Sequence, residues 1–163
     1  DPGVGIVFDT VTNSYIEGCW VRACDNGAII ITDTVNCTIR SSFIYENIVA
    51  IWIMGSASHD IVTNNHLYDN NLSGILMGGA DDQSDCIIAD NECLNNTMTG
   101  IAVGNNALRN IVSGNRCQDN GTDIEITLAS ATDNLIIGNI CIGTGIPITD
   151  NGTNTHIAHN ITT

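Results

Sequence analysis

The sequence predicts an all-β chain that forms a right-handed parallel β-helix, a solenoid of about seven coils. Three observations support this fold. An aliphatic and asparagine-rich segment recurs every 22–26 residues, a strand-like alternating segment recurs with it, and asparagine turns separate the two. A period of that length is typical of solenoids, in which each repeat is one coil packed on its neighbours. We therefore treat residues 1–163 as one domain.

The first recurring segment aligns in three columns without gaps. Its first column is aliphatic: Ile16, Ile39, Val62, Ile88, Val112, Ile136 and Ile157. Three residues on, the second column is mostly asparagine: Cys19, Ser42, Asn65, Asn91, Asn115, Asn139 and Asn160. Two residues further, the third column is mostly apolar: Val21, Ile44, Leu67, Cys93, Cys117, Cys141 and Thr162. We expect these positions to face inward and the stacked asparagines to bond from coil to coil.

The second recurring segment alternates at a period of two, as a strand with one buried face does. Its predicted inward pairs are Ile6/Phe8, Ile29/Ile31, Ile51/Ile53, Ile75/Met77, Ile101/Val103, Ile124/Ile126 and Ile146/Ile148. Between the segments, Asn47, Asn70, Asn96 and Asn120 share a column with Cys24. Asparagine suits such turns because it tolerates left-handed dihedrals and its amide can bond the local backbone.

The chain is strongly acidic, with 18 Asp plus Glu, 4 Lys plus Arg and a formal net charge of −14. Such a surface repels phosphate backbones and anionic lipids, which argues against nucleic acid or a membrane surface as a partner. No apolar stretch is long enough to cross a membrane. The chain opens at Asp1 without Met and its predicted end coils lack caps, so we expect a piece of a longer protein.

The pattern Ile-x-x-Asn-x-(Ile/Cys), followed by Asn and then Gly-Ile-x-(Ile/Val), resembles the parallel β-helix repeats of the pectin-lyase-like superfamily. It is most similar to the asparagine-rich coils of periplasmic copper-site maturation proteins, alginate epimerases and viral tailspikes. The resemblance covers essentially the whole chain and implies the fold. It implies little about activity, because the shared residues are core and turn residues.

Three hypotheses for function follow from the resemblance. The first is an extracellular, cell-surface or virion-surface domain that binds, or also processes, a polysaccharide. The second is a structural surface or fibre module without catalysis, and the third is a periplasmic accessory protein. The sequence does not decide whether the chain is an enzyme. Its histidines, which would supply a base, are scattered over distant coils: His59, His66, His156 and His159.

The seven cysteines do not predict a disulfide framework. Cys93, Cys117 and Cys141 occupy one inward column where other coils place aliphatic residues. A buried cysteine behaves as a small apolar residue. Side-by-side cysteines on parallel strands rarely reach the dihedral angle that a disulfide requires. We predict a ladder of free thiols, and the remaining cysteines lack the partner spacing of a zinc site.

Four outward residues are candidates for catalysis, because enzymes that act on acidic polysaccharides pair carboxylates with a basic side chain. Glu17 and Arg40 fall at the same outward position on adjacent coils, where a plain surface ion pair is the alternative. Asp9 and Asp33 follow the second strand of neighbouring coils, where solvated loop acids are the alternative.

The longest connection contains Gly78-Gly-Ala-Asp-Asp-Gln-Ser-Asp85, with three carboxylates in five residues. Asp81, Asp82 and Asp85 could bind a hard cation such as Ca²⁺ through oxygen ligands. A solvated acidic turn is the alternative, because the segment lacks the regular spacing of a calcium loop. We expect no other cofactor.

An apolar stripe runs along the outward positions of the second segment. It consists of Val7, Ile30, Trp52 and Leu76, continues to Ala102, and then changes to Glu125 and Pro147. A contiguous apolar ladder on an outer face usually marks an interface. We predict that a second copy of the chain or a flanking segment covers the stripe. The alternative is a loop of the same chain folded over it.

Overall fold

The computed structural model describes residues 3–163, and these contain strands and turns but no helix. Three parallel seven-stranded sheets run the length of a right-handed β-helix of about seven coils, which confirms the predicted fold. We call them sheets 1, 2 and 3 in the order in which the chain visits them within a coil. No segment of residues 3–163 forms a helix long and apolar enough to span a membrane.

Each coil contributes one strand to each sheet. Sheet 1 contains Ile6–Asp9, Gly27–Thr32, Val49–Met54, Ser73–Met77, Thr99–Val103, Thr122–Ile126 and Ile146–Asp150. Sheet 2 contains Tyr15–Glu17, Thr38–Arg40, Ile61–Thr63, Ile87–Ala89, Ile111–Ser113, Leu135–Ile137 and His156–Ala158. Sheet 3 contains Trp20–Arg22, Phe43–Tyr45, His66–Tyr68, Glu92–Leu94, Arg116–Gln118, Ile140–Ile142 and Ile161–Thr162. A short fourth pair, Gln83–Ser84 with Ala107–Leu108, lies between sheets 1 and 2.

The core is a stack of similar layers, because parallel pairing repeats each inward position from coil to coil. In sheet 1, Ile29 pairs with Ile51 and Ile31 with Ile53, and all four side chains are fully buried. The predicted aliphatic column of sheet 2 is buried in the same way through its middle coils. Burial of one such side chain contributes roughly 1.5–3 kcal/mol. Repetition of these layers is therefore the main stabilisation of the solenoid.

The predicted thiol ladder is confirmed. Cys93, Cys117 and Cys141 are fully buried, unbridged, and paired side by side across sheet 3. The contact with Cys117, followed by burial, raises the pKa of the Cys141 thiol. Burial likewise raises the pKa of the Cys86 thiol to about 12. Thiols with pKa values raised in this way are neutral core groups at physiological pH.

Inward-pointing asparagines hold the corners of the middle coils, as predicted. The Asn115 Oδ1 accepts the backbone N–H of Asn91 at 2.9 Å and its side-chain N–H at 3.0 Å. The Asn115 Nδ2 in turn donates to the carbonyl of Ile88 at 2.9 Å. Left-handed residues precede these asparagines, such as Asn64 before Asn65, and turn the chain between sheets 2 and 3. The ladder thus pairs the polar groups that a buried corner would otherwise leave unsatisfied.

The last coil differs from the prediction by a shift of two residues. Ile148, not Ile146, pairs with Ile124, and Thr149 rather than Pro147 continues the outward position of Glu125. The predicted pair Ile146/Ile148 is therefore wrong in register. A shift of two residues keeps every side chain on the same side of the strand, so the alternation alone cannot distinguish the two alignments.

Candidate functional site

The predicted catalytic residues divide into an ion pair and two separate acids. The Arg40 Nη2 lies 2.9 Å from the Glu17 Oε2 on the outer face of sheet 2, and both side chains are exposed. Arg40 also lies over the ring of Tyr15, with its guanidinium carbon 5.9 Å from the ring centre. These contacts form a surface ion pair. A catalytic role for Glu17 and Arg40 stays a prediction.

Asp9 and Asp33 do not stack on one another. Asp9 ends its strand beside Thr32, one residue before Asp33 in the alignment of the two coils. The Asp33 Oδ1 instead accepts the backbone N–H of Ser56 at 2.8 Å and holds the turn after Gly55. The structure therefore joins Glu17 with Arg40 but does not stack the two aspartates as a pair.

The predicted calcium loop is not assembled as a cation site. The Arg109 guanidinium donates to both carboxylate oxygens of Asp85, with Nε–Oδ1 at 2.9 Å and Nη2–Oδ2 at 2.6 Å. This hydrogen-bonded contact lowers the pKa of the Asp85 carboxyl. Asp81 and Asp82 are exposed. Among residues 3–163, no three His, Cys, Asp or Glu side chains are arranged to hold a metal ion.

The apolar stripe is stacked as predicted and partly covered by its own chain. Ile30, Trp52 and Leu76 pair in register on the outer face of sheet 1, and each is half-buried. The Trp52 Nε1 donates to the carbonyl of Gly78 at 3.2 Å, which fixes the ring against the next coil. Beside Leu76, a mostly apolar hollow of about 210 Å³ opens over Ala102. Contact with another chain stays a prediction.

A second outward surface, on sheet 3, contains side chains that the sequence reasoning did not bring together. Its first outward column reads Phe43, His66, Glu92 and Arg116 on successive coils. Its second column reads Tyr45, Tyr68, Leu94 and Gln118. The rings of Phe43 and His66 stack with centres 4.7 Å apart and planes 3° apart. The rings of Tyr45 and Tyr68 stack at 4.8 Å and 5°.

A polar cluster continues the first of these columns. Glu92 uses both carboxylate oxygens, Oε2 at 2.8 Å from the His66 Nδ1 and Oε1 at 2.9 Å from the Arg116 Nη1. The Arg116 Nη2 also donates to the Oε1 of Gln118. The three side chains of His66, Glu92 and Arg116 are thereby fixed relative to one another and remain partly open to solvent.

A hollow of about 360 Å³ lies beside this cluster, and we call it the sheet 3 hollow. It is lined by Asn64, Asn65, His66, Asp90, Asn91, Glu92, Gly114 and Arg116. Gly114 lies at its edge in a left-handed conformation, and a Cβ at this position would collide with the Asp90 Oδ1. The hollow thus has a glycine at one side and carboxylate, amide, imidazole and guanidinium groups around it.

Sequence reasoning missed this site although a signal for it was present. His66, Glu92 and Arg116 each stand immediately before a member of the inward column Leu67, Cys93 and Cys117. That shared offset places the three on one outward column of neighbouring coils. The prediction treated the histidines as scattered over distant coils and did not compare the outward positions next to this inward column.

Comparison with solved structures agrees with the fold. A double mutant of the periplasmic alginate epimerase AlgG superposes with a TM-score of 0.80 at 18% identity, over 97% of this chain and 43% of the epimerase. An alginate lyase from Paenibacillus sp. str. FPU-7 superposes with a TM-score of 0.75 at 19% identity, over 99% of this chain and 70% of the lyase. At these identities the likeness shows the fold alone. The chain spans less than half the length of the epimerase.

No curated protein sequence matches the chain. The family model described as "Periplasmic copper-binding protein (NosD)" matches residues 1–163, which is the full length of the sequence. The chain belongs to this NosD family of parallel β-helix proteins.

Proposed function

We propose that the chain is a glycan-binding β-helix domain of an envelope or extracellular protein, and that it binds through the outer face of sheet 3. The observation that carries the proposal is the combination of two aromatic stacks with the adjacent sheet 3 hollow. Sugar recognition needs apolar contact for the C–H groups together with a few oriented polar groups for the hydroxyls. This face provides both on strands of a rigid sheet.

The aromatic side chains supply the apolar contact. Phe43, Tyr45 and Tyr68 are half-buried by their stacking, so their ring edges and the two phenol hydroxyls are presented outward. Holding these rings in advance reduces the conformational entropy that a ligand must remove. Because the columns run along the solenoid axis, a linear polymer lying along that axis would meet the aromatic stacks first and the polar cluster on the coils that follow.

The polar cluster favours binding over turnover at this face. A general acid or base needs a carboxyl or imidazole within reach of the reacting group. Both oxygens of Glu92 are instead engaged by His66 and Arg116. The cluster is therefore better suited to fixed hydrogen bonds with hydroxyls than to proton transfer by Glu92.

The comparisons support a polysaccharide ligand and an envelope location. Two of the similar structures are named as an alginate epimerase and an alginate lyase, and the epimerase and the family model are both described as periplasmic. The fibre-module and periplasmic-accessory hypotheses predict no glycan binding at all. The proposal therefore differs from both in a directly measurable way.

A glycan array followed by calorimetry tests the proposal. We expect binding of at least one oligosaccharide class and a loss of about tenfold or more in affinity for Tyr68→Ala, in line with the share that a central aromatic contributes to an interface. Tyr15→Ala is the matched control, because Tyr15 is an exposed tyrosine on the outer face of sheet 2. The absence of all binding, or equal losses in both variants, would contradict the proposal.

A further inference from the structure

The outer face of sheet 3 contains more negative than positive charge. Arg22 and Arg116 are the guanidinium groups in its two outward columns. Five carboxylates lie in the face or at the left-handed corner positions beside its strands: Glu46, Asp69, Asp90, Glu92 and Asp119. The turn acids hold left-handed corner positions directly beside the strands, so they are fixed features of the face.

Arg116 is not free to receive a carboxylate from a ligand. Its Nη1 donates to Glu92 and its Nη2 to Gln118. Recognition of a uronate by arginine uses two parallel N–H groups directed at the two oxygens. A uronate at Arg116 would therefore have to displace Glu92, which would leave that carboxylate facing the ligand's own negative charge. Arg22, the other guanidinium, is exposed beside Tyr45 at the first-coil end of the second column. It can pair with one uronate of a polymer and does not offset the carboxylates of the face.

The carboxylates in the turns also affect the tyrosines of this face. The pKa of the Tyr68 hydroxyl is raised by partial burial, and further by Tyr45, Asp69 and Glu46. The negative charges that disfavour a phenolate here also disfavour a ligand carboxylate, because charges within a Debye length of about 10 Å interact at 0.1 M salt. The net charge of −14 adds to this repulsion at longer range.

We infer that the ligand of this face is an uncharged glycan rather than a polyuronate, an inference that rests on the proposed glycan-binding function. Ionised carboxylates only accept hydrogen bonds, and sugar hydroxyls are suitable donors to them. Neutral sugars also carry no charge to be repelled by the turn acids. The face thus combines apolar ring edges, phenol hydroxyls and acceptor carboxylates, which is the complement of a polymer of neutral hexoses.

Calorimetry of the full chain against neutral and acidic hexasaccharides tests the inference. The neutral probes are cellohexaose, laminarihexaose and mannohexaose, and the acidic probe is hexamannuronate. We expect a neutral hexasaccharide to bind with a Kd that changes less than about twofold between roughly 20 and 500 mM NaCl, since no charge is paired on binding. Hexamannuronate should bind at least about tenfold more weakly at the lower salt concentration.

The outcomes distinguish a failure of this inference from a failure of the proposed glycan-binding function. Tighter binding of hexamannuronate than of every neutral probe would overturn the inference and leave glycan binding intact. Binding of none of the four probes, together with an empty glycan array, would overturn the proposed function itself.

A variant that removes the Glu92 charge tests whether the Glu92–Arg116 pair causes the preference for an uncharged glycan. Glu92→Gln removes one negative charge from the face and replaces the charge-assisted bond to Arg116 with a weaker neutral one. Hexamannuronate affinity should therefore rise about fivefold or more, because its carboxylates then compete for Arg116 against a neutral acceptor. Asp133→Asn, an exposed turn position on the chain outside sheet 3, removes the same charge and should leave that affinity unchanged. An unchanged affinity in a folded Glu92→Gln protein, or an equal rise in both variants, would contradict the role given to the Glu92–Arg116 pair.

Discussion

The Asp123 carboxylate accepts the side-chain N–H of Asn120 at 2.8 Å and so ends the asparagine ladder of one corner. In the preceding coils, the corner asparagine donates its side-chain N–H to the asparagine of the following coil. Asn96, for example, donates to Asn120. The next coil has Thr144 in place of that asparagine. Asp123 fills the gap from within its own coil, at a position where neighbouring coils have Ala50, Gly74 or Gly100.

Replacing Asp123 should make stability less dependent on pH. The side chain is 2% exposed, and its burial raises the pKa of the carboxyl despite the bonds from Asn120. Because the folded-state pKa is raised, the folded protein is more stable with Asp123 protonated. This stability is lost as the pH rises through the folded-state pKa. Asp123→Asn keeps the acceptor oxygen without the charge, so it should stabilise the chain at pH 7 by up to about 1 kcal/mol.

The measurement is urea unfolding of both proteins from pH 4 to pH 8. The gain of the Asp123→Asn variant should shrink as the pH falls, because protonation of the parent removes the same buried charge. Asp133→Asn is the control, since this aspartate is exposed in a turn. A gain that stays constant with pH would show that the buried charge is not its source.

The Asn115 side chain should be required for stability. It is fully buried, and its amide meets two residues in the coil before and one in the coil after. Asn115→Leu leaves the backbone N–H of Asn91 without its acceptor and removes the donor to the carbonyl of Ile88, which should cost on the order of 1–3 kcal/mol. Urea midpoints report the change, and Asn71→Leu, at an exposed turn position, should stay within about 0.5 kcal/mol of the parent.

The buried thiols should be protected from modification. Cys93, Cys117 and Cys141 are 0% exposed, whereas Cys19 and Cys24 are partly exposed. Iodoacetamide followed by peptide mass spectrometry should therefore label Cys19 and Cys24 first and the three ladder thiols only after denaturation. Native labelling of Cys117 at the rate of Cys19, or a peptide pair bridged between Cys93 and Cys117, would contradict the free, buried ladder.

The fold was predictable because a solenoid repeats its core positions at near-constant spacing. Ile39, Val62 and Ile88 identify one another by their shared offset, and the polar residue that follows each by three residues fixes the corner. Where the repeat is ambiguous, prediction failed. In the last coil Ile146 and Ile148 both satisfy the alternation, and the register follows the spacing from the preceding strand, because Cys141 and Ile148 are as far apart in the sequence as Cys117 and Ile124.

The candidate site was not predictable in the same way. His66, Glu92 and Arg116 occupy an outward column that has no repeating residue type, so only their shared offset from Leu67, Cys93 and Cys117 places them together. Their contact depends on side-chain reach across the coils, with Glu92 turned toward both neighbours. Similarly, Asp85 has the sequence context of a cation ligand, and only the position of Arg109 one coil later assigns it to an ion pair.

The apolar stripe of Val7, Ile30, Trp52 and Leu76 should contact another chain or a segment outside this sequence. Its middle members are half-buried within the chain and still form a continuous apolar surface with the hollow over Ala102. Burying the remaining surface of a tryptophan-centred patch is worth roughly 2–3 kcal/mol. Changing both Ile30 and Leu76 to Asp should leave the coils folded, because both side chains point outward, but should dissociate any assembly.

Light scattering and tryptophan emission decide this prediction when Trp20, the other of the two tryptophans, is first changed to Phe. In that background the emission reports Trp52 alone. We expect the parent to be larger than a monomer with a blue-shifted maximum, and the double aspartate variant to be a monomer with a red-shifted one. Thr38→Asp, an outward position on sheet 2, is the control for added charge. The prediction is wrong if the parent is a monomer and the two aspartates change neither its mass nor its emission maximum. The contact of Trp52 with Gly78 would then be what covers the stripe.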